Sequence, residues 1–253
     1  MAKFIGTLSM SKASIALDGA RIQKALKALR SRIGSVCADC GRTGEGVTIV
    51  AVSKGFGAEA IEAAIAANLT DIGENYYQEA VRKFAQVSWP PVPLRRHYIG
   101  RVQRKKARRI AELFDWVQTI DGADTAAALN SGAQGAGKTL DVLLQINATG
   151  DRRQGVPVQD AGILAAAVAG HDHLRLRGVM TIGPEDPAGS RAAFSQASAC
   201  LAQLRALHPS VDTLSMGMSG DLEPALRAGS NMIRIGTGLF GPRPKPPWVE
   251  GEE

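Results

Sequence analysis

The stretch "IVAVSKGFGAEAIEAAIAANLTDIGEN", residues 49–75, contains a strand, a helix and a second strand in succession. The apolar, largely β-branched run "IVAV" predicts a short strand that is buried on both faces. "AEAIEAAIAANL" is typical of a helix, and "TDIGEN" is typical of another short strand. No hairpin signal lies between the two strands, so we expect the helix to cross over and the strands to run parallel.

The same alternation of strand and helix continues along the chain. Strands are predicted near residues 49, 71, 97, 117, 142, 178, 214 and 233, nearly all separated by one helix. A helical stretch from Ile15 to about Ile33 precedes the first strand. The pattern is typical of the α/β class, and eight regular repeats favour a single closed (β/α)8 TIM barrel with an N-terminal helix. A doubly wound open sheet is the alternative.

The chain of 253 residues is predicted to form one domain. Residues 1–14 are assigned to an N-terminal extension, residues 15–241 to the barrel, and residues 242–253 to a Pro-rich, charged tail. We expect no second domain after the eighth strand.

The composition favours a soluble, cytoplasmic protein. The formal net charge is +6 and hydrophobic residues make up 45% of the chain, but no apolar run is long enough to cross a bilayer. The N-terminus lacks the apolar core and cleavage site of a signal peptide. Three cysteines fit a reducing compartment better than a disulfide framework. Cys37 and Cys40 form a lone C-x-x-C, which we interpret as two ordinary thiols in a loop rather than a zinc or redox site.

The segment "GAQGAGKT", residues 132–139, has the spacing of a nucleotide-binding P-loop. A P-loop follows a strand and opens a helix, so that backbone N–H groups converge on phosphates. Here a helix is predicted before the glycines and a strand after them. We therefore interpret the segment as a helix C-cap and turn.

Eight Lys or Arg residues lie between Arg95 and Arg109. Such a basic segment is usually a solvated helix face, which is the interpretation that we favour. Contact with a nucleic-acid backbone is the alternative, although no aromatic stacking positions or nucleic-acid module accompany the segment. Attraction of a smaller anionic ligand is also open.

Lys54 ends the first predicted strand, where a lysine is unusual because desolvating an ammonium group is unfavourable. One interpretation is that its side chain simply leaves the strand for solvent. The other is a functional lysine, kept as a neutral amine or engaged in a Schiff base.

Two glycine-rich loops follow the seventh and eighth strands. The first contains Gly217 and Ser219 in "SMGMSGD", and the second contains Gly236 and Thr237 in "IRIGTGLFG". Loops at these two places often bind phosphate in (β/α)8 barrels. In a closed barrel they would neighbour Lys54, and pyridoxal 5′-phosphate (PLP) has both the phosphate and the aldehyde that this set of groups would bind.

Six sequence blocks resemble the YggS/PROSC family of pyridoxal phosphate homeostasis proteins: "VAVSK", "GENYYQE", "HYIG", "LRGVMTIG", "SMGMSGDLEPALRAGS" and "IRIGTGLFG". The resemblance covers nearly the whole chain beyond the N-terminal helix. It implies a fold type III PLP-binding barrel like the N-terminal domain of alanine racemase, with a lysine at the end of strand one that binds the cofactor.

The resemblance also implies roles for individual residues. Lys54 would form the Schiff base, and Asn75 would lie near the phenolic oxygen of PLP. The phosphate would be held by Ser219, Gly236 and Thr237. Arg234 would face the pyridine nitrogen; a guanidinium does not readily exchange its proton, so the ring would stay unprotonated and be a poor electron sink.

Four positions depart from the family pattern. Arg96 stands where an aromatic residue is common, Lys105 where asparagine is usual, and Gly122 where a polar residue is common. No proline follows shortly after Lys54. These changes bear on the specificity for partners or anions rather than on cofactor binding.

The function expected is therefore PLP homeostasis, meaning storage, buffering or delivery of the cofactor, with no catalytic residue and no metal. PLP-dependent client enzymes are the expected protein partners, membranes and nucleic acids are not expected, and the protein is expected to be a monomer. A racemase-like enzyme is the alternative, but racemases with this barrel take a second base from another domain. The three tyrosines, Tyr76, Tyr77 and Tyr98, offer no obvious replacement.

Overall fold

Eight parallel strands close into a barrel in the computed structural model, which describes residues 19–150 and 153–243. The strands are β1 (Thr48–Val52), β2 (Asp71–Glu74), β3 (Arg95–Tyr98), β4 (Trp116–Ile120), β5 (Leu140–Asn147), β7 (Leu174–Met180), β8 (Thr213–Ser215) and β9 (Met232–Ile235). Each strand pairs with its neighbour in this order, and β9 pairs with β1. A further two-residue strand, β6 (Val156–Pro157), pairs with the end of β5 and was not predicted. The predicted TIM barrel is confirmed.

Helices follow the strands and cover the outside of the barrel. They are α1 (Gly19–Asp39), α2 (Ala58–Ala66), α3 (Tyr77–Phe84), α4 (Ala107–Leu113), α5 (Ala123–Gly135), α6 (Ala161–Ala169), α7 (Pro187–Leu207), α8 (Leu222–Arg227) and α9 (Thr237–Phe240). Short 3₁₀ turns, Arg104–Lys106 and Val158–Asp160, precede α4 and α6. Within the described ranges, no helix combines the length and the apolarity that a membrane crossing requires.

The apolar run of β1 is explained by two separate layers of core. Ile49 and Ala51 belong to the large cluster between the strands and the helices. Val50 and Val52 belong to a smaller cluster inside the barrel, with Trp116 and other side chains. Because successive side chains of a strand point to opposite faces, a strand between two apolar layers is apolar at every position.

Arginine–aspartate pairs surround the N-terminal ends of the strands. The pairs are Arg95–Asp71, Arg96–Asp115, Arg175–Asp141 and Arg177–Asp212. Residues at this end of a (β/α)8 barrel generally serve stability, because the chemistry lies at the other end.

The basic segment is therefore divided between the two ends of the barrel. Arg95 and Arg96 begin β3, whereas Arg101 follows it. Beyond β3, Arg104 pairs with Asp124, and Arg108 pairs with Glu112 one helical turn away. The interpretation of the basic segment as a solvated helix face therefore does not apply to Arg95 and Arg96, which lie in a strand.

The rejection of a P-loop is confirmed, because α5 precedes the glycines and β5 follows them. The C-x-x-C was placed wrongly in a loop, since Cys37 is buried in α1 and only Cys40 lies in the turn beyond it. Helix α1 continues past Ile33 because Val36 and Cys37 extend its buried face.

The last two strands end earlier than the stretches "DTLSMGMS", residues 212–219, and "MIRIGTGLFG", residues 232–241, which were predicted as strands. β8 stops at Ser215, and β9 stops at Ile235. The segment "TGLF" forms the short helix α9, whose Leu239 and Phe240 are buried against the barrel. The predicted extension, residues 1–14, and residues 244–253 of the predicted tail lie outside the described residues, as does the predicted beginning of the first helix.

Candidate functional site

The residues predicted to bind a cofactor lie at the C-terminal ends of four neighbouring strands. In the barrel these strands are adjacent in the order β2, β1, β9, β8. Asn75 follows β2, Lys54 follows β1, Arg234 lies in β9 with Gly236 and Thr237 just beyond it, and Ser219 follows β8. One end of the barrel thus brings together chain positions that are up to 183 residues apart in sequence, from Lys54 to Thr237 (237 − 54 = 183).

Lys54 is half-buried, and its ammonium has no hydrogen bond or ion pair with any residue in the described ranges. Burial lowers the pKa of Lys54, and the positive charges of Arg243 and Arg234 lower it further. Glu79 and Glu74 act in the opposite direction but do not reverse the shift. A lowered pKa increases the fraction of neutral amine, which is the nucleophilic form.

A buried ionic cluster lies beneath the loop that carries Lys54. Lys83 Nζ donates hydrogen bonds to the carbonyl oxygen of Ser53 at 2.6 Å and to Glu74 Oε1 at 2.7 Å, and it pairs with Glu79 Oε1 at 2.6 Å. Glu79 Oε1 also accepts from the backbone N–H of Gly55 at 2.6 Å. Because Ser53 and Gly55 flank the lysine, the cluster fixes its backbone on both sides.

Glu74 is the most buried carboxylate of this cluster. Its Oε1 also accepts from Ser53 Oγ at 2.6 Å, whereas Oε2 is buried without a partner in the described residues. Burial raises the pKa of Glu74, against the opposing effect of Lys83. Sequence reasoning missed this cluster, although a glutamate inside a buried strand was a signal, because such a charge requires a partner.

The two glycine-rich loops are in contact. A Cβ on Gly238 would lie 2.8 Å from Ser219 Oγ, so the loops after β8 and β9 approach each other closely at this glycine. Ser219 and Thr237 are exposed there. The N–H groups of Thr237 and Gly238 belong to the first turn of α9, where a helix offers them no partner of its own. The loops therefore present two hydroxyls and free N–H donors to one small space.

Arg234 is buried inside the barrel. Its Nη1 donates to Ser215 Oγ at 2.7 Å, and its Nη2 donates to the carbonyl oxygen of Thr181 at 2.9 Å. Burial lowers the pKa of Arg234 to about 10, so the guanidinium stays charged at neutral pH. The two bonds use the outer nitrogens and fix the plane of the group.

Asn75 is half-buried at the end of β2, next to Glu74. A Cβ on Gly100 would overlap the carbonyl oxygen of Asn75, so glycine is required where the chain leaves β3. This close approach holds the loop after β2 against the loop after β3.

These groups fit a phosphorylated aromatic aldehyde. The half-buried amine, which has no partner among residues 19–150 and 153–243, suits an aldehyde, and the hydroxyls and N–H donors of the two glycine-rich loops suit a phosphate. The buried guanidinium offers only donors, as a ring nitrogen that accepts a hydrogen bond requires.

Comparison with known proteins gives a consistent result. The family model described as "Alanine racemase, N-terminal domain" matches residues 25–244. The pyridoxal phosphate homeostasis protein of Escherichia coli strain K12 is 41% identical over 222 residues, which cover 86% of this chain and 95% of that protein.

Solved structures agree with both matches. PipY of Synechococcus elongatus PCC7942, with PLP bound, superposes with a TM-score of 0.76 at 32% identity, covering 87% of this chain and 100% of PipY. Alanine racemase from Clostridium difficile 630 superposes with a TM-score of 0.70 at 16% identity, over 89% of this chain and 57% of the racemase, which shows a shared fold. The chain therefore belongs to the alanine racemase N-terminal domain family and, within it, to the pyridoxal phosphate homeostasis proteins.

Proposed function

We propose that this protein binds PLP reversibly through Lys54 and serves PLP homeostasis by storing, buffering or delivering the cofactor, without catalytic turnover. The observation that carries the proposal is the half-buried amine of Lys54, which no residue of the described part of the chain binds, next to the two glycine-rich loops. The names of the relatives and the PLP bound to PipY support it.

Each residue of the site has a task in this proposal. PLP supplies an aldehyde that a neutral amine can bond reversibly with loss of one water. Lys54 provides the amine, while Ser219, Gly236 and Thr237 bind the phosphate through hydroxyl and N–H groups. Arg234 donates toward the ring nitrogen.

Asn75 completes the site beside the phenolic oxygen of the ring, a role that rests on the resemblance to the family. Its amide can donate to that oxygen, because an asparagine side chain carries two N–H donors.

Two features argue against racemase-like turnover. Arg234 stays positively charged and cannot supply a proton readily, so the ring nitrogen remains unprotonated and the ring draws electrons weakly. Tyr98 is also a poor candidate for a second base: its hydroxyl donates to the carbonyl oxygen of Arg101 at 3.1 Å, and burial raises the pKa of Tyr98 to about 12. Tyr77 begins α3, and Tyr76, which is exposed beside Asn75, remains the one to test.

The proposal extends to the setting in which the protein acts. We expect a cytoplasmic monomer that transfers PLP to PLP-dependent enzymes. The three cysteines, all of them free thiols, suit a reducing compartment.

The direct test compares Lys54→Ala with Lys105→Ala, which removes an exposed lysine outside the site. After incubation with PLP and reduction with borohydride, peptide mapping should find the pyridoxyl group on Lys54 in the parent protein and in Lys105→Ala. Lys54→Ala should lose the absorption band of the lysine-bound form and remain folded. An undiminished band in Lys54→Ala would assign the cofactor to another lysine.

Arg234→Glu tests the choice between homeostasis and catalysis. A carboxylate at this position favours a protonated ring nitrogen, which should change the cofactor spectrum and permit slow side reactions with amino acids. The parent protein should show no exchange of the α-proton of alanine in deuterated water. Rapid exchange by the parent protein, lost in Tyr76→Phe, would instead support a racemase-like enzyme.

A further inference from the structure

A column of hydrogen-bonded polar side chains crosses the interior of the barrel behind Arg234. From Ser215 Oγ the column continues to Gln118 Oε1 at 2.7 Å. Gln118 Nε2 lies 3.0 Å from His97 Nδ1, and His97 Nε2 lies 2.8 Å from Asp71 Oδ1. The five side chains of the column, those of Arg234, Ser215, Gln118, His97 and Asp71, are at most 5% exposed.

The direction of every hydrogen bond follows from the chemistry of the two ends. Arg234 has donors only, so Ser215 Oγ accepts from it and must give its single proton to Gln118 Oε1. The amide nitrogen of Gln118 then donates to His97 Nδ1, with Met232 Sδ as a weaker second acceptor at 3.3 Å. His97 therefore carries its proton on Nε2 and donates it to the Asp71 carboxylate.

The far end of the column is anchored at the N-terminal end of the barrel. Arg95 Nη2 donates to Asp71 Oδ2 at 2.7 Å, and Thr70 Oγ1 donates to the same oxygen at 2.9 Å. The pKa of Asp71 is lowered by its bonds to His97 and Arg95, which outweigh the effect of burial, so the carboxylate is ionised. His97 is also held in place by stacking on Trp116, with ring centroids 5.2 Å apart.

We propose that Gln118, with His97 and Asp71 behind it, is a positioning residue that fixes the Ser215 hydroxyl as an acceptor and so holds the Arg234 guanidinium in the orientation that it presents to a bound ring. This inference deepens the proposed function and rests on it. The column carries no proton in the course of binding. It serves to leave Arg234 one orientation, because the proton of Ser215, both N–H groups of the Gln118 amide and the N–H of His97 are each already donated within the column.

The test uses Gln118→Leu, which removes all the hydrogen bonds of the amide, to Ser215, His97 and Met232, at similar volume. Its control is Thr119→Val. Thr119 lies on the same strand as Gln118 but outside the column, and the substitution removes its buried hydrogen bond to the carbonyl oxygen of Gly100. We expect Gln118→Leu to bind PLP about tenfold more weakly, because a misoriented Arg234 would lose about one charge-assisted hydrogen bond to the ring. The NMR shift of the isotope-labelled ring nitrogen should move toward its protonated value in Gln118→Leu and stay unchanged in Thr119→Val.

Ser215→Ala and Ser215→Thr provide a second comparison if Gln118→Leu does not fold. The alanine variant should reproduce the ring-nitrogen shift, and the threonine variant, which keeps the hydroxyl, should restore the parent value. The PLP-free protein should show His97 protonated at Nε2 alone, a readout that does not depend on PLP. A parent-like ring-nitrogen shift in both Gln118→Leu and Ser215→Ala would overturn the inference, whereas absence of the adduct from the parent protein would overturn the proposed function itself.

Discussion

At the scale of single residues, the groups around Lys54 determine its pKa and so its reactivity. A lysine at the end of a buried strand was recognisable in the sequence, and so were the two loops beside it. The groups that shift its pKa were not recognisable in the sequence, because Arg243 and Glu79 lie 189 and 25 residues away along the chain (243 − 54 = 189; 79 − 54 = 25). Such long-range electrostatic contacts exist only once the barrel has closed.

Arg243→Gln tests that electrostatic effect. Removing the positive charge should raise the pKa of Lys54, so less neutral amine is present at neutral pH and the adduct with PLP forms more slowly. Stopped-flow absorption over a range of pH should show the rise in rate displaced to higher pH. Arg191→Gln, which removes an exposed arginine that does not act on Lys54, is the matched control. Superimposable pH profiles for Arg243→Gln and the parent would assign the lowered pKa of Lys54 to burial and Arg234 alone.

At the scale of elements, most strands and helices followed from periodicity, but their ends did not. The segment after Ile235 looked like a continuing strand because "GLFG" is apolar. In the folded chain its apolar side chains are buried from a helix instead, since the strand has reached the end of the barrel. The polar residues of the interior were also missed, because Gln118 and Ser215 stand in short strands whose apolar neighbours dominate the pattern.

The contact between β7 and β8 depends on a single glycine. Gly178 has φ +155°, and a Cβ there would overlap the carbonyl oxygen of Thr213 on β8. We expect Gly178→Ala to lower the free energy of unfolding by about 2–3 kcal/mol, measured by urea denaturation. Gly34→Ala should raise it by up to about 1 kcal/mol, because it adds a methyl group in open space within α1. Equal free energies of unfolding for the two variants would show that β7 and β8 can move apart without loss of stability.

At the scale of the whole molecule, the closed barrel was predictable from the count of strands and the lack of hairpin signals. The different chemistry of the two ends of the barrel was not predictable from the sequence. The arginine–aspartate pairs occupy the N-terminal end and the candidate cofactor site occupies the other, while the sequence mixes both sets of residues along the same strands. β3 is an example: it begins with Arg95 and Arg96 at the N-terminal end, and the chain that leaves it at the other end lies against Asn75.

The pairs at the N-terminal end predict sensitivity to acid. Asp115 has a lowered pKa because its hydrogen bonds with Arg96 outweigh the effect of burial, and Asp71 and Asp212 are lowered in the same sense. A carboxylate whose pKa is lowered by folding stabilises the protein at pH values above its pKa in the unfolded state, about 4, and this stabilisation is lost as the pH falls. The free energy of unfolding should therefore decrease steeply below about pH 4, and less steeply in Asp115→Asn. Asp124→Asn, which removes a carboxylate from an exposed pair, should retain the parent dependence.

The buried ionic cluster beneath the lysine loop has a consequence for chemical selectivity. Two amines, those of Lys54 and Lys83, lie at the loop after β1, and an aldehyde reacts only with an amine that has a free electron pair. Lys83 Nζ is buried and bonded to three acceptors, namely Ser53, Glu74 and Glu79, so it has no free direction from which an aldehyde could approach. The carboxylates that hold the loop of Lys54 thus also bind Lys83, and of these two amines only Lys54 is left available to react with an aldehyde.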